Sequence, residues 1–139
     1  MRVNIYTKTS FKGMKVQDGV GIYVLSCVVG RQEVTKSERL DLQSLTPNAA
    51  ELKIIVEALK RFNKKSEIHI FTDSSYVTGY VQRLPEWKAR NFRKSKGEEV
   101  ANIELWKELE RLLRGHEVTW ELMQPHEYRK WLSSEVAKP

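Results

Sequence analysis

Two carboxylates, Glu51 and Asp73, are the residues of this sequence whose types and positions could do chemistry. Glu51 precedes Ile54 and Ile55 by three and four residues, so helical periodicity places it on the buried stripe of a predicted helix. Asp73 directly follows a predicted strand. Because burying an unpaired carboxylate costs several kcal/mol, we expect a cation beside Glu51. Two carboxylates at one place are typical of a divalent-metal site.

Each carboxylate also has a simpler interpretation, which the residues alone leave open. Asp73 could cap a short helix that begins at Ser74, because an aspartate there accepts hydrogen bonds from free backbone N–H groups. Glu51 could be a partly exposed glutamate in the first turn of its helix, where the helix dipole favours a negative charge.

The elements that must position these residues have the predicted order β-β-β-α-β-α-(α)-α-β-α. Alternating and β-branched residues predict strands over residues 2–8, 19–29, 32–42, 67–72 and 116–122. Helical periodicity, with Thr46 and Asn102 as N-caps, predicts helices over residues 47–62, 74–81, a short turn from 85, 103–114 and 127–137. The fold class is therefore α/β, a mixed five-stranded sheet with its first three strands antiparallel and helices on both faces.

Length and composition describe one globular domain over residues 1–139. No apolar run approaches the ~20 residues that a membrane-spanning helix needs, and no signal-peptide layout opens the chain. The single Cys27 has no intrachain partner, so we expect a reducing, cytoplasmic location. A net charge of +6 favours an acidic partner such as nucleic acid.

The basic segment, residues 83–96, is the candidate nucleic-acid-binding surface. It holds six Lys or Arg residues and one acid, interleaved with Trp87 and Phe92. Aromatic rings can pack on sugars or bases while the cations contact phosphates. A solvated helix face is the alternative, because charge runs usually form one. Trp106, Trp120 and Trp131 are predicted to be core or half-buried residues.

The order and spacing of several motifs over nearly the whole chain resemble the type 1 ribonuclease H family. Residues 46–52 read TPNAAEL and residues 71–77 read FTDSSYV, similar to the family's helix motif and its strand-to-helix motif. Enzymes of that family cut the RNA strand of RNA–DNA hybrids with two divalent ions held by four carboxylates. The resemblance therefore implies an RNase H-like fold, with Glu51 and Asp73 as two of the four metal ligands.

The other two ligand positions depart from the family pattern. Lys8 stands where the resemblance places the central aspartate, and Ser134 stands in place of the last one. His126 resembles the family's flexible-loop histidine, although the loop is shorter here and an ordinary surface histidine is the alternative. The resemblance thus implies a remnant catalytic set of Glu51, Asp73 and His126.

The replacement at Lys8 matters because two-metal hydrolysis holds its ions roughly 3.5 to 4 Å apart and needs a bridging oxygen ligand. We expect Lys8 to pair with Glu51 and Asp73 as an internal counterion, without a metal-dependent change in melting temperature. Lys8 could instead be an ordinary strand-end lysine. It could also turn to solvent while a nearby acid completes a weakened site, the candidates being Asp18, Asp41 and Glu135.

The predicted function is binding of RNA–DNA hybrid or another duplex, without cleavage. The resemblance implies contacts through Asn48, Ser75, Trp87, Lys88, Arg90, Phe92, Arg93 and Lys94. We expect a monomer with no cofactor, or with Mg²⁺ or Mn²⁺ if the site is active; a protein partner stays open. The alternatives are an active hybrid endoribonuclease with a rearranged metal site, and a structural or protein-interaction domain similar to the connection domains of reverse transcriptases.

Overall fold

The computed structural model describes residues 1–94 and 96–139, and its element order is the predicted one. The strands are β1 (Arg2–Thr9), β2 (Gln17–Val29), β3 (Gln32–Leu45), β4 (Glu67–Thr72) and β5 (Glu117–Leu122). The helices are α1 (Pro47–Leu59), α2 (Ser75–Tyr80), α3 (Leu84–Ala89), α4 (Ile103–Leu113) and α5 (Arg129–Val136), with a 3-10 turn over Val81–Arg83 between α2 and α3.

The five strands form one mixed sheet in the order β3-β2-β1-β4-β5. Strands β1, β2 and β3 pair antiparallel, whereas β4 is parallel to both β1 and β5. This confirms the predicted sheet. Parallel pairing makes the carboxyl ends of β1 and β4 leave the sheet at the same edge, which is where Lys8 and Asp73 lie.

Helices cover both faces of the sheet, as predicted. On one face, α1 is buried along most of its length, with Leu52, Ile54 and Ile55 fully inaccessible, and it packs between the sheet and α4. On the other face, Leu132 and Val136 of α5 pack against a second apolar cluster, formed with Tyr6, Ile22 and Val24.

Several helix ends differ from their predicted positions. Helix α1 begins after Thr46, whose side chain accepts a hydrogen bond from the Ala49 backbone, as expected. It ends at Leu59 rather than near Phe62, because the backbone N–H groups of Arg61 and Phe62 bond three residues back and tighten the chain into a turn.

The predicted capping bond of Asn102 is wrong. Asn102 precedes α4 in a left-handed conformation with φ of 60°, and its side chain does not cap the helix. Its amide donates instead to the Tyr76 hydroxyl over 3.0 Å, and the Trp106 indole donates to the same oxygen over 3.1 Å. These two bonds tie α4 to α2.

The three predicted packing tryptophans behave differently. Trp106 is fully buried and Trp120 is half-buried, as expected, whereas Trp131 is 43% exposed, so the prediction is wrong for it. Within the described part of the chain, no helix is both long enough and apolar enough to cross a bilayer.

We expect Leu132→Ala to lower the free energy of unfolding by about 2–5 kcal/mol, because it leaves a cavity between α5 and the sheet. Leu132 is 1% exposed, whereas Lys130 on the same helix is exposed. Lys130→Ala is therefore the matched control, expected to change the free energy of unfolding by less than about 0.5 kcal/mol. Urea denaturation followed by circular dichroism measures both, and equal losses would contradict the packing of α5.

Candidate functional site

Strand register brings Lys8 and Asp73 together. Tyr6 of β1 is the parallel partner of Phe71 of β4, so Lys8 and Asp73 each follow their strand's paired residue by two positions. The Lys8 Nζ lies 3.5 Å from the Asp73 Oδ2, which confirms the expected ion pair with Asp73. Among the described ion pairs, Lys8 reaches Asp73 and does not reach Glu51.

A second cation, Arg129, holds the same carboxylate and was not predicted. Its Nη2 donates to the Asp73 Oδ1 over 3.0 Å and its Nη1 donates to the Oδ2 over 3.3 Å, a bidentate contact. The Nη2 also donates to the Gln124 carbonyl over 3.0 Å, which fixes the guanidinium in the loop before α5. Asp73 therefore lies between two cations.

The interpretation of Asp73 as a helix cap is wrong, because Ser74 has that role. The Ser74 hydroxyl accepts a hydrogen bond from the Val77 backbone N–H over 3.2 Å and caps α2. The Asp73 carboxylate therefore does not cap α2 and contacts Lys8 and Arg129 instead.

Glu51 lies in the first turn of α1 but is buried, so the interpretation as a partly exposed glutamate is wrong. Its Oε1 is inaccessible and has no hydrogen-bond partner among the described residues. Burial raises the pKa of the Glu51 carboxyl, while the Thr7 and Thr72 hydroxyls lower it and the Asp73 charge raises it further. The fold thus opposes ionisation of this group.

An open pocket of about 310 Å³ contains both predicted metal ligands. Lys8, Glu51 and Asp73 line it together with Asn48 and Ser75, two of the residues predicted to contact nucleic acid. The structure therefore assembles one polar pocket from the ends of β1 and β4 and the first turns of α1 and α2.

His126 and Ser134 do not line this pocket, and Arg129 lies beside it, in contact with Asp73. The His126 ring packs on Tyr6 at 4.6 Å between centroids, and its Nδ1 accepts from the Tyr128 backbone. Burial lowers the pKa of His126, and the Arg129 charge lowers it further, so the neutral imidazole is favoured. Ser134 is exposed on α5.

The three acids that could have completed a weakened metal site are also not in the pocket. The Asp18 carboxylate accepts from the Ser44 backbone over 2.9 Å, and Glu135 pairs with Lys138. Asp41 is exposed on β3.

The donor set of the pocket does not fit two divalent ions. Magnesium needs several oxygen ligands in near-octahedral geometry, whereas both oxygens of Asp73 already contact cations. Within residues 1–94 and 96–139, no three His, Cys, Asp or Glu side chains are grouped to hold a metal ion. Lys8 and Arg129 add positive charge where an ion would approach.

The two aromatic residues of the basic segment belong to the core. Trp87 is 8% and Phe92 is 6% exposed. The Trp87 ring stacks on Tyr80 at 5.7 Å and meets Trp106 edge-on at 5.4 Å, and Tyr76 packs on both Tyr80 and Trp106. Their burial leaves little ring surface for nucleotides, so contact through Trp87 and Phe92 stays a prediction that this packing does not favour.

The cations of the basic segment are exposed. Lys88 and Arg90 make long ion pairs, of 3.6 Å to Glu110 and 4.0 Å to Glu86, and such surface pairs hold a side chain only weakly. Arg90 also lines an open cleft of about 340 Å³ together with Arg83, Arg93 and Lys94. This cleft presents four cations to solvent.

Comparison with known proteins identifies the family. The family model for RNase H matches residues 1–130. Ribonuclease H of Cupriavidus pinatubonensis is 32% identical over 125 residues, which cover 89% of this chain and 83% of that protein. Ribonuclease H of Acetivibrio thermocellus is 34% identical over 127 residues, covering 90% and 83%. The chain belongs to the RNase H family.

Solved structures confirm the RNase H-like fold. LC9-RNase H1, described as a type 1 RNase H with the type 2 active-site motif, matches with a TM-score of 0.77 at 18% identity, over 96% of this chain and 69% of that one. The foamy viral protease-reverse transcriptase in complex with RNA/DNA hybrid matches with a TM-score of 0.73 at 21% identity, over 98% of this chain and 19% of that one.

Neutralising Glu51 is expected to stabilise the protein in the presence of a chelator. Glu51→Gln keeps the shape of a buried side chain and removes a charge whose ionisation the fold opposes, so we expect the free energy of unfolding at pH 7 to rise and the gain to shrink as the pH falls and the wild-type carboxyl is protonated. Thermal and urea unfolding in EDTA measure it. Glu117→Gln, an exposed position on β5, is the control, expected within about 0.5 kcal/mol of the wild type. A loss of stability in Glu51→Gln would mean that the carboxylate has stabilising partners.

Proposed function

We propose that this domain binds RNA–DNA hybrid or another nucleic-acid duplex and no longer cleaves hybrids. The observation that carries the proposal is the ion cluster at the edge of the pocket, in which Lys8 and Arg129 both contact the pocket residue Asp73. An ammonium and a guanidinium there repel divalent ions and occupy the oxygens that an ion would need. Membership of the RNase H family supports the nucleic-acid part of the proposal.

Binding would depend on phosphates and duplex shape rather than on base sequence. The net charge of +6 and the exposed cations of the basic segment supply the attraction. Two foamy viral neighbours were solved with RNA/DNA hybrid and with dsDNA, which favours a duplex as the ligand class. The contacts we propose are Asn48 and Ser75 at the pocket, and Lys88, Arg90, Arg93 and Lys94 on the basic segment.

An active hybrid endoribonuclease is the second candidate. Identities above 30% to several ribonucleases H favour it, as does the presence of both Glu51 and Asp73 in one pocket. His126 would then be its remaining catalytic candidate, and Mg²⁺ or Mn²⁺ its cofactor. A protein-interaction domain, one domain over residues 1–139, a monomeric state and a cytoplasmic location stay predictions.

Cleavage separates the two candidates. We expect the wild type to leave a labelled RNA–DNA hybrid intact with Mg²⁺ or Mn²⁺, because cations already occupy Asp73. Metal titration is likewise expected to leave its melting temperature unchanged. Cleavage by the wild type that Asp73→Asn abolishes would establish the second candidate and end the first.

A gain-of-function series identifies the missing parts. Lys8→Asp restores one carboxylate to the pocket. Ser134→Asp is added as the position that the resemblance implies, although Ser134 does not line the pocket. Arg129→Gln, the third change, removes the second cation from Asp73. We expect metal-dependent cleavage in the triple variant and less in the double variant. Denaturation curves check that each variant is folded, and inactivity of a folded triple variant would place the defect in the shortened loop as well.

Salt dependence tests the basic segment. We expect hybrid binding by the wild type to weaken with salt, and replacement of Lys88, Arg90 and Arg93 by Gln to weaken it strongly. The slope of log Kd against log salt should fall by up to about 0.9 for each phosphate that the variant no longer neutralises. Fluorescence anisotropy measures both. The control replaces Lys36, Lys64 and Lys65 by Gln, the same charge change elsewhere, and an equal weakening there would contradict a specific role of the basic segment.

A further inference from the structure

We propose that Lys8 and Arg129 bind a backbone phosphate of the nucleic acid directly, which makes the pocket a phosphate-binding subsite that needs no metal. This inference rests on the proposed function, because the phosphate belongs to the duplex. It assigns a binding role to the same ion cluster that closes the pocket to divalent ions.

Exposure places the cations ahead of the buried acid. The side chains of Lys8 and Arg129 are 35% and 40% exposed although both contact Asp73. Glu51 is only 9% exposed and lies deeper. The Asp73 carboxylate between Lys8 and Arg129 is 38% exposed. An anion that approaches from solvent therefore meets two positive groups and one negative group, a positive balance, before it meets the buried Glu51.

The charge of the pocket no longer repels a phosphate. Lys8 and Arg129 carry two positive charges, and Glu51 and Asp73 carry at most two negative ones, so they cancel. A pocket with an aspartate in place of Lys8, and without Arg129 beside it, would be lined by three acidic side chains and repel a phosphate unless metal ions were bound. The same fold can thus bind a nucleic-acid phosphate directly through cationic side chains rather than through metal ions.

Asp73 has the geometry of an internal substitute for the phosphate. Its two oxygens accept the parallel N–H groups of the Arg129 guanidinium, a fork that fits carboxylate and phosphate oxygens alike. Partly exposed ion pairs such as Arg129–Asp73 contribute little to stability, so replacing the Asp73 carboxylate by a phosphate on Arg129 requires little free energy. The bond from Arg129 to the Gln124 carbonyl keeps the guanidinium at the pocket during that exchange.

Further donors line the same pocket. The Asn48 amide and the Ser75 hydroxyl are exposed on its wall, at the starts of α1 and α2. Each can donate a hydrogen bond to a phosphate oxygen. Lys8, Asn48 and Ser75 on the pocket, with Arg129 beside it on Asp73, are the kinds of group that typically contact a nucleic-acid backbone.

The test measures hybrid affinity in EDTA by fluorescence anisotropy. Lys8→Gln and Arg129→Gln should each weaken binding several-fold and lower the salt slope by about 0.9, the value for one phosphate contact. Lys65→Gln is the matched control, because residue 65 precedes β4 and lies at the opposite end of that strand from Asp73. If all three variants bind alike while the wild type binds well, the inference is overturned and the proposed function stands.

Asp73→Asn should change the hybrid affinity in the opposite direction. Removing the competing carboxylate frees both cations, so binding in EDTA should tighten, whereas loss of a metal ligand would not strengthen binding. Glu117→Gln makes the same charge change at the far end of the neighbouring strand β5 and should have a smaller effect. Equal effects of the two variants would reject a local phosphate site.

Inorganic phosphate tests the subsite without nucleic acid. Titration at constant ionic strength in EDTA should shift the backbone amide signals of Ser74 and Ser75 in a saturable way, and Lys8→Gln should abolish the shift. If the wild type binds no hybrid, the proposed function fails. The phosphate titration still shows whether the pocket binds phosphate. Absence of the shift in the wild type would overturn the inference.

Discussion

The parallel pairing of β1 with β4 determines which side chains meet in the pocket. Because Tyr6 lies opposite Phe71, Lys8 and Asp73 leave the sheet side by side. Side chains alternate between the faces of a strand, so Lys8 shares the α5 side with Tyr6, whereas Thr7 points to the α1 side with Glu51 nearby. A register shift of one residue would exchange Lys8 and Thr7 and separate the ion cluster.

This constraint also explains why α5 takes part in the site. Arg129 is the first residue of α5, and it reaches Asp73 because Leu132 and Val136 fix that helix on the sheet. Arg39 of β3 donates to the backbone carbonyls of Glu135 and Lys138 and holds the other end of the helix. The terminal helix is thus fastened at both ends, and its first residue supplies the cation.

Much of the fold could be predicted from the sequence, because strand alternation and helical periodicity are local properties. The order of elements, the sheet and the Thr46 cap follow from such patterns. The pairing of Lys8 with Asp73 followed from the family resemblance, which places Lys8 at a position that faces the other acids of the site. Arg129 was not predictable, because its contact depends on how α5 lies across the sheet, and no motif marks it.

The same limit applies to the aromatic residues. Charge and interleaving suggested that Trp87 and Phe92 face a ligand, but their burial depends on α4, which comes later in the chain. Asn102 likewise prefers the Tyr76 hydroxyl to a capping bond because tertiary packing brings that oxygen within reach. The site residues that sequence patterns describe well are those positioned by a single element.

The packed rings of Tyr76, Tyr80, Trp87 and Trp106 have a mechanical consequence. Tyr76 lines the pocket, while Tyr80 and Trp87 line the cationic cleft of the basic segment. The rings join these two surfaces through a continuous aromatic wall. The distance between the pocket and the cleft is therefore fixed. A stiff duplex bound at one of these surfaces would meet the other at a high effective concentration, so two weak contacts would together give a higher affinity.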